Sequence, residues 1–164
     1  MSKRLPGGHT AHVDTFAADN LPPLEALPKF DFDGLPILRS YPDRINAGAE
    51  LLDQMCVTGF GDNPVLHYEE TTWTYNELRA ISDRIAKVLV EDQGLIPGNR
   101  VLLRSANNPM LVACWFAVLK AGGICVTTMQ LLRARELNYI VKKAEIKHAL
   151  CDITLADEML SLIH

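Results

Sequence analysis

From Thr74 onward, short apolar runs alternate with longer stretches in which apolar residues recur every three or four positions. The short runs predict three β-strands, over Arg100–Arg104, Ile124–Thr128 and His148–Cys151. The longer stretches predict four helices, the first following Thr74 and closing near Gly94, the others over 110–120, 136–143 and 155–163. Helices that alternate with short apolar strands are typical of a parallel sheet with right-handed crossovers, so the pattern predicts an α/β fold.

The residues just before the first of these helices predict a hairpin and a helix cap. Two β-prone runs, 65–68 and 72–73, flank a tight turn at 69–71. Thr74 and Glu77 have the spacing of a capping box, in which each side chain accepts a hydrogen bond from the other residue's backbone amide. The sequence therefore predicts that a helix begins directly after the hairpin.

Prolines are concentrated at the start of the chain, where six of the nine lie before Asp43. Few apolar positions recur periodically there, so residues 1–42 are predicted to form an extended, Pro-rich arm that wraps the body of the protein. Asp43 then opens a helical pattern that Gly59 and Gly61 end. The predicted apolar side of this helix carries Ile45, Ala49, Leu52 and Met55.

The composition is that of a folded globular chain. Of its 164 residues, 48% are hydrophobic and 22% charged, which argues against a disordered or fibrous protein. A net charge of -4 argues against a basic face for a phosphate backbone, so no nucleic-acid partner is expected. The longest apolar run, 110–119, is far shorter than the ~20 residues of a membrane helix, so no membrane partner is expected either.

The four cysteines are Cys56, Cys114, Cys125 and Cys151. None belongs to a CxxC pair, and three lie in apolar stretches, which is typical of buried free thiols in a reducing compartment. Because the chain also opens without a secretory signal, a cytoplasmic location is expected. His9 and His12 lie in the arm without further ligands on a rigid frame, so no metal site is expected.

No familiar catalytic motif is present. The patterns GxxxxGK[ST], GxGxxG, HExxH and GxSxG are all absent. Gly122 and Gly123 follow a predicted helix, which is typical of a helix stop rather than a phosphate cradle. The residues by themselves therefore indicate an α/β domain in which no catalytic residue and no metal ligand can be assigned.

Several short segments together resemble one family, the AMP-forming acyl- and aryl-CoA synthetases, also called adenylate-forming enzymes. WTYNEL at 73–78 resembles their first shared motif, and LKAGG at 119–123 their second. GNRV at 98–101 resembles their Gly-Asp-Arg-Val strand entry, with Asn in place of Asp, and RAREL at 133–137 resembles the start of the next helix. YPDRIN at 41–46 and LLD at 51–53 are similar to the opening of the aromatic-acid branch, such as the benzoate and 2-aminobenzoate ligases.

This resemblance implies that the chain is the N-terminal fragment of an aromatic acid–CoA ligase. The expected fold is a partial N-terminal subdomain over 43–164, a mostly parallel sheet flanked by helices, with the arm over 1–42 and the short hairpin. The complete family enzyme joins a small-molecule carboxylic acid to the α-phosphate of ATP with the help of Mg²⁺, releases pyrophosphate, and transfers the acyl group to the thiol of CoA. The family's phosphate-binding loop and catalytic lysine lie beyond the second motif, so this chain alone is expected to be inactive and to bind no cofactor tightly.

The resemblance implies one ligand contact within the chain. In medium-chain members of the family, the loop after the second-motif strand carries a Gln that contacts CoA, and Thr128-Met129-Gln130 matches that pattern. Gln130 is therefore the candidate CoA contact, although the aminobenzoate-like branch usually has Pro at this place. The alternative is that Gln130 is a loop amide that satisfies its own turn.

Other functions stay open from the sequence. A non-catalytic, standalone α/β binding or interaction module is the main alternative, and exposed apolar surface on the last helix would argue against it. A small flavodoxin-like or receiver-like protein is a third reading. The sequence does not determine the acid substrate or the oligomeric state. Exposed apolar surface would allow two copies of the chain to form a dimer.

Overall fold

The chain forms a short antiparallel hairpin and a three-stranded parallel sheet, and helices pack against both. This computed structural model describes residues 10–28, 37, 40–42 and 44–162. The strands are β1 (Pro64–Tyr68), β2 (Thr71–Thr74), β3 (Arg100–Arg104), β4 (Ile124–Thr128) and β5 (His148–Cys151). The α-helices are α1 (Phe16–Asp19), α2 (Tyr75–Lys87), α3 (Pro109–Lys120), α4 (Ala134–Lys143) and α5 (Ala156–Leu160). Turns of π-helix occupy Ala49–Asp53, Cys56–Phe60 and Val88–Asp92, and 3₁₀ turns occupy Leu24–Ala26 and Ile153–Leu155.

The parallel sheet has the strand order β4-β3-β5, so β3 is its central strand. All five residues of β3 are buried, whereas the two outer strands are only partly buried. The register pairs Val101 with Cys125 on one side and with His148 on the other. The three predicted strands are thus confirmed with their bounds, and the predicted α/β fold with a mostly parallel sheet is confirmed as well.

The helices that follow β3 and β4 lie on opposite faces of the sheet. Side chains of a strand alternate between its faces, and Val101 and Leu103 join one core cluster with Val118 of α3. Arg100 points to the other face, where its guanidinium donates to the carbonyl oxygen of Ala144 (2.7 Å), directly after α4. The segments that leave β3 and β4 therefore diverge, and such divergence opens a crevice beyond the carboxyl ends of two adjacent parallel strands.

A second core cluster joins the hairpin to the helices. Leu52, Leu78 and Ala113 are fully buried there, and they come from the first helical segment, α2 and α3 respectively. Trp73 of β2 packs against the same cluster. The hairpin is therefore anchored on the same helices that cover the parallel sheet.

The predicted hairpin and capping box are both confirmed. The strands β1 and β2 pair antiparallel, with Leu66 opposite Trp73. The backbone amide of Thr74 donates to the Glu77 carboxylate (2.8 Å), and the amide of Glu77 donates to the Thr74 hydroxyl (3.2 Å). Because the Thr74 amide donates to the carboxylate, the pKa of Glu77 lies below its ordinary value. Helix α2 accordingly begins at the residue after Thr74.

The first predicted helix starts later than expected. Asp43 lies outside the described residues, and helical backbone begins at residue 47. The Asn46 side chain caps this helix by accepting from the amide of Gly48 (2.9 Å). Ile45 therefore precedes the helix and is 47% exposed, so its predicted place on the apolar side is wrong. Leu52, on the same predicted side, is buried as expected.

The last predicted helix, over 155–163, is shorter than expected. The carboxylate of Asp152 accepts from the backbone amide of Thr154 (2.9 Å), and this cap fixes a 3₁₀ turn before the helix. Only α5 follows this turn as α-helix, and residue 163 lies outside the described residues.

The described part of the arm packs against the amino end of β3. The backbone amides of Val13 and Asp14 both donate to the carbonyl oxygen of Pro97, at 2.9 and 3.0 Å. In α1, the ring of Phe16 lies 4.4 Å from the guanidinium carbon of Arg100. A division of the chain at residue 42 stays a prediction.

Candidate functional site

An open cleft of about 440 Å³ lies beyond the carboxyl ends of β3 and β4, at the point where the chain diverges to the two faces. Its polar lining comes from the residues that follow or end these two strands. These residues are Ser105, Asn107, Thr127, Thr128 and Gln130. In open α/β sheets, ligands bind at this kind of crevice, so the cleft is the candidate functional site.

The wall after β3 is fixed by the cap of α3. The Asn108 side chain accepts from the backbone amide of Leu111 (2.9 Å), which is the N-cap bond of α3. The same side chain donates to the hydroxyl of Ser105 (3.1 Å). Ser105 and Leu111 both line the cleft, so the helix cap also sets the shape of this wall.

The wall after β4 is a loop over 129–132 that a buried arginine holds. Arg104 is only 1% exposed. Its guanidinium donates to the carbonyl oxygens of Met129 (3.1 Å), Gln130 (3.1 Å) and Leu132 (2.9 Å). At the edge of this loop, the hydroxyl of Thr128 donates to the carbonyl oxygen of Leu103 (3.1 Å). Sequence reasoning missed Arg104, for which the only signal is a charged residue that closes the apolar run of the central strand.

Gln130 lies in this loop and lines the cleft. Its backbone carbonyl accepts from Arg104, whereas its exposed side-chain amide makes no hydrogen bond to any described residue. In the alternative, the Gln130 side-chain amide forms a hydrogen bond within its own turn. Among the described residues, no such bond is present. That Gln130 contacts CoA stays a prediction at this point.

The chemistry of the cleft is that of uncharged hydrogen-bonding groups. Hydroxyls and amides line it together with apolar side chains, and no described lining residue is charged. Within the described ranges, no three His, Cys, Asp or Glu side chains are grouped so that they could hold a metal ion. The arrangement can therefore orient a neutral polar group, such as an amide, against an apolar wall.

The carboxylate of Glu158 connects α5 to the start of α4. Glu158 accepts from the backbone amide of Ala134 (2.7 Å) and from the guanidinium of Arg133 (3.0 Å). The donated amide hydrogen is the main reason why the pKa of Glu158 lies below its ordinary value, and Arg133 adds to the effect. Because Glu158 binds this amide, α4 begins at Ala134, two residues before its predicted start.

The fold and the cleft define an α/β domain whose site lies at the carboxyl ends of parallel strands. The model of one family, described as AMP-binding enzyme, matches residues 54–163, which is more than half of the chain. The chain therefore belongs to the family of AMP-binding enzymes, as its motifs predicted.

Relatives and solved structures agree with this assignment. The chain is 29% identical over 98 residues to a 3-hydroxybenzoate–CoA/4-hydroxybenzoate–CoA ligase of Thauera aromatica, an alignment that covers 60% of the chain and 18% of that enzyme. It is similar to apo MatB from Rhodopseudomonas palustris, with a TM-score of 0.64, 26% identity, and coverage of 71% and 23% of the two chains. A benzoate CoA ligase from Burkholderia xenovorans LB400 shares the fold, with a TM-score of 0.66, 20% identity, and coverage of 73% and 24%.

The chain spans about a fifth of the length of the curated CoA ligases that it matches. Among the residues that the structure describes, no helix has the length and apolar character needed to cross a membrane.

Proposed function

We propose that this chain supplies the N-terminal scaffold of an AMP-forming aromatic acid–CoA ligase, and that Gln130 contacts CoA in that enzyme. The observation that carries the proposal is the position of Gln130, which lines the cleft at the carboxyl ends of β3 and β4 and whose side-chain amide bonds to no described residue. The family match and the similarity to a hydroxybenzoate–CoA ligase support an aromatic acid, such as benzoate or 2-aminobenzoate, as the substrate.

The lining of the cleft suits one part of CoA better than the others. The pantetheine arm of CoA carries two neutral amides, whereas its nucleotide carries phosphates. The described lining residues carry hydroxyls and amides that can exchange hydrogen bonds with the amides of CoA, but none of them offers a counter-charge to phosphates. Gln130 can both donate to and accept from an amide, because its side chain carries both groups.

The role that we propose for the chain is to bind and orient, without a chemical step of its own. In the complete enzyme, ATP and Mg²⁺ activate the carboxylate, which is otherwise a poor electrophile. The described residues contain no cluster of ligands that fits Mg²⁺, so no residue of this chain is assigned to the metal and no step is routed through it. Accordingly, the chain alone is proposed to be inactive, to bind ATP and Mg²⁺ weakly at most, and to bind CoA only at millimolar concentrations.

Exposed apolar residues near the C-terminal end favour this proposal over a standalone binding module. Ile153 is 85% exposed and Leu160 of α5 is 54% exposed. A complete module would normally cover side chains of this kind.

The four cysteines are free thiols, which supports a cytoplasmic location for the ligase.

The test of the Gln130 contact is a titration of the isotope-labelled chain with millimolar CoA, followed by NMR. We expect the side-chain amide signals of Gln130 to shift and the shifts across the cleft to disappear in Gln130→Ala. Gln93→Ala is the matched control, because Gln93 is also exposed but lies outside the cleft. Identical shifts in wild type and Gln130→Ala would refute the contact.

The proposed inactivity is tested separately by ATP–pyrophosphate exchange. The purified 164-residue chain should show no exchange above the blank with benzoate or 2-aminobenzoate. Measurable exchange that depends on the acid would show that the chain holds an active site of its own.

A further inference from the structure

We propose that Arg104 is a positioning residue for CoA, because its guanidinium fixes the loop over 129–132 in the conformation that places Gln130 in the lining of the cleft. This inference rests on the proposed function, since it assigns Arg104 a part in the contact between Gln130 and CoA.

The hydrogen bonds of Arg104 are concentrated on the loop. Three of its N–H groups donate to the carbonyl oxygens of Met129, Gln130 and Leu132, and its Nε donates more weakly to that of Leu155 (3.4 Å). Within the described residues, no carboxylate oxygen lies within 4.0 Å of this guanidinium, so an ion pair does not account for its position. The side chain therefore acts as a connector between the end of β3 and the loop.

The geometry of these bonds requires the guanidinium fork. A planar fork with five donors can reach several carbonyl oxygens at once, whereas the ammonium of lysine is a point donor on a flexible stem. Three of the four loop residues from Met129 to Leu132 give their carbonyl oxygen to Arg104, which fixes the backbone on both sides of the Gln130 side chain. The backbone of Gln130 is thus held, while its side-chain amide has no hydrogen-bond partner among the described residues.

The same arginine also ties the loop to the last described helix. Leu155, which receives the weaker bond, immediately precedes α5, and Glu158 of α5 in turn caps α4. The backbone amide of Asp152 donates to the Arg104 carbonyl oxygen (2.8 Å). The backbone of Arg104 therefore binds a neighbouring segment, as its side chain does. Arg104 is therefore placed to keep the cleft wall fixed relative to the sheet.

The first test uses the unmutated chain and the guanidinium signals of Arg104 in ¹⁵N NMR spectra. Rotation about the guanidinium bonds normally averages these N–H signals, whereas a fork held by three strong hydrogen bonds should give separate, slowly exchanging ones. Averaged signals for Arg104 in the folded chain would overturn the proposal, and this test does not depend on whether any variant folds.

The second test compares Arg104→Lys with Arg100→Lys. Arg100 lies on the same strand and is also buried, but it donates to carbonyl oxygens after α4 rather than to the loop, so it is a matched control. The amide of Leu132, which donates to Met129, should exchange with solvent roughly tenfold faster in Arg104→Lys than in the control. Equal exchange rates in the two folded variants would contradict a positioning role.

Titration with CoA then distinguishes the positioning role of Arg104 from the contact that Gln130 makes with CoA. If wild type binds CoA through Gln130, we expect Arg104→Lys to weaken the affinity by roughly fivefold or more while Arg100→Lys leaves it unchanged. Unchanged affinity in Arg104→Lys would overturn the role in binding. If CoA does not bind to wild type at all, the proposed Gln130 contact fails and the role of Arg104 in binding fails with it, whereas the guanidinium signals still show whether Arg104 holds the loop.

Discussion

The carboxylate of Asp14 and the guanidinium of Arg100 form an ion pair that joins the arm to the central strand of the parallel sheet. The Arg100 side chain is 5% exposed and that of Asp14 is 20% exposed, so solvent screens this pair much less than a surface pair. The side-chain amide of Asn99 also donates to the Asp14 carboxylate (2.8 Å). The residues at the start of β3 thus hold the arm through partly buried polar contacts.

Replacement of Asp14 by Asn should destabilise the chain, because it leaves the buried Arg100 without its counter-charge. We expect a loss of about 2 kcal/mol in the free energy of unfolding, measured by urea denaturation. Asp19→Asn is the matched control, since Asp19 is exposed and its carboxylate accepts only from the Thr15 hydroxyl among described residues, and it should cost less than about 0.5 kcal/mol. Equal losses in the two variants would show that the ion pair contributes nothing specific.

The same carboxylate should make stability depend on acid pH. The pKa of Asp14 lies below its ordinary value of 3.8, mainly because the backbone amide of Phe16 donates to it, with further contributions from Arg100 and Asn99. A lowered pKa means that the stabilisation is complete well above 3.8 and is lost as the pH falls below it toward the pKa of the folded state. The urea midpoint of wild type should therefore decrease more steeply between about pH 5 and pH 3 than that of Asp14→Asn. Parallel curves would contradict this linkage.

The regular elements of the fold could be predicted from sequence because their signals are local. The bounds of β3, β4 and β5 follow from apolar runs, and the start of α2 follows from the spacing of Thr74 and Glu77. The ion pair could not be predicted, because Asp14 and Arg100 are 86 residues apart and the arm has no periodic pattern. The π-helical turns were also missed, since the apolar spacing of 3.6-residue helices gives no sign of them.

The candidate site could be predicted only in part. The sequence indicates Gln130 only because a short segment resembles a family motif, and nothing in its local sequence distinguishes it from any other loop amide. Arg104 was missed because its partners lie 25 to 28 residues further along the chain and are backbone carbonyls, which carry no side-chain signature. The cleft itself depends on the divergence of α3 and α4 from neighbouring strands, a property of the topology rather than of single residues.

Gly98 and Gly94 provide a matched pair of substitutions to alanine. Both have positive φ angles, of +95° and +65°, so alanine should cost each position about 1 kcal/mol in backbone strain. At Gly98 the new methyl group would also clash with the backbone carbonyl oxygen of Asp14, whereas at Gly94 nothing lies within 4 Å of it. We therefore expect urea denaturation to show a loss of about 3 kcal/mol or more for Gly98→Ala and about 1 kcal/mol for Gly94→Ala. Equal losses would mean that the arm moves away from Gly98 at little cost.

The thiol of Cys125 should be the slowest in the folded chain to react with alkylating reagents. Burial raises its pKa to about 12, and the neighbouring Cys114 adds to the shift. Because the thiolate is the reactive form, iodoacetamide at pH 8 should modify Cys125 at least about 100-fold more slowly in the folded chain than in urea. Mass spectrometry of digested samples taken over time would measure this rate together with that of Cys56, which lies outside both core clusters and serves as the internal control. In urea the two rates should become equal, and labelling of Cys125 as fast as Cys56 in the folded chain would show that the core around β4 opens readily.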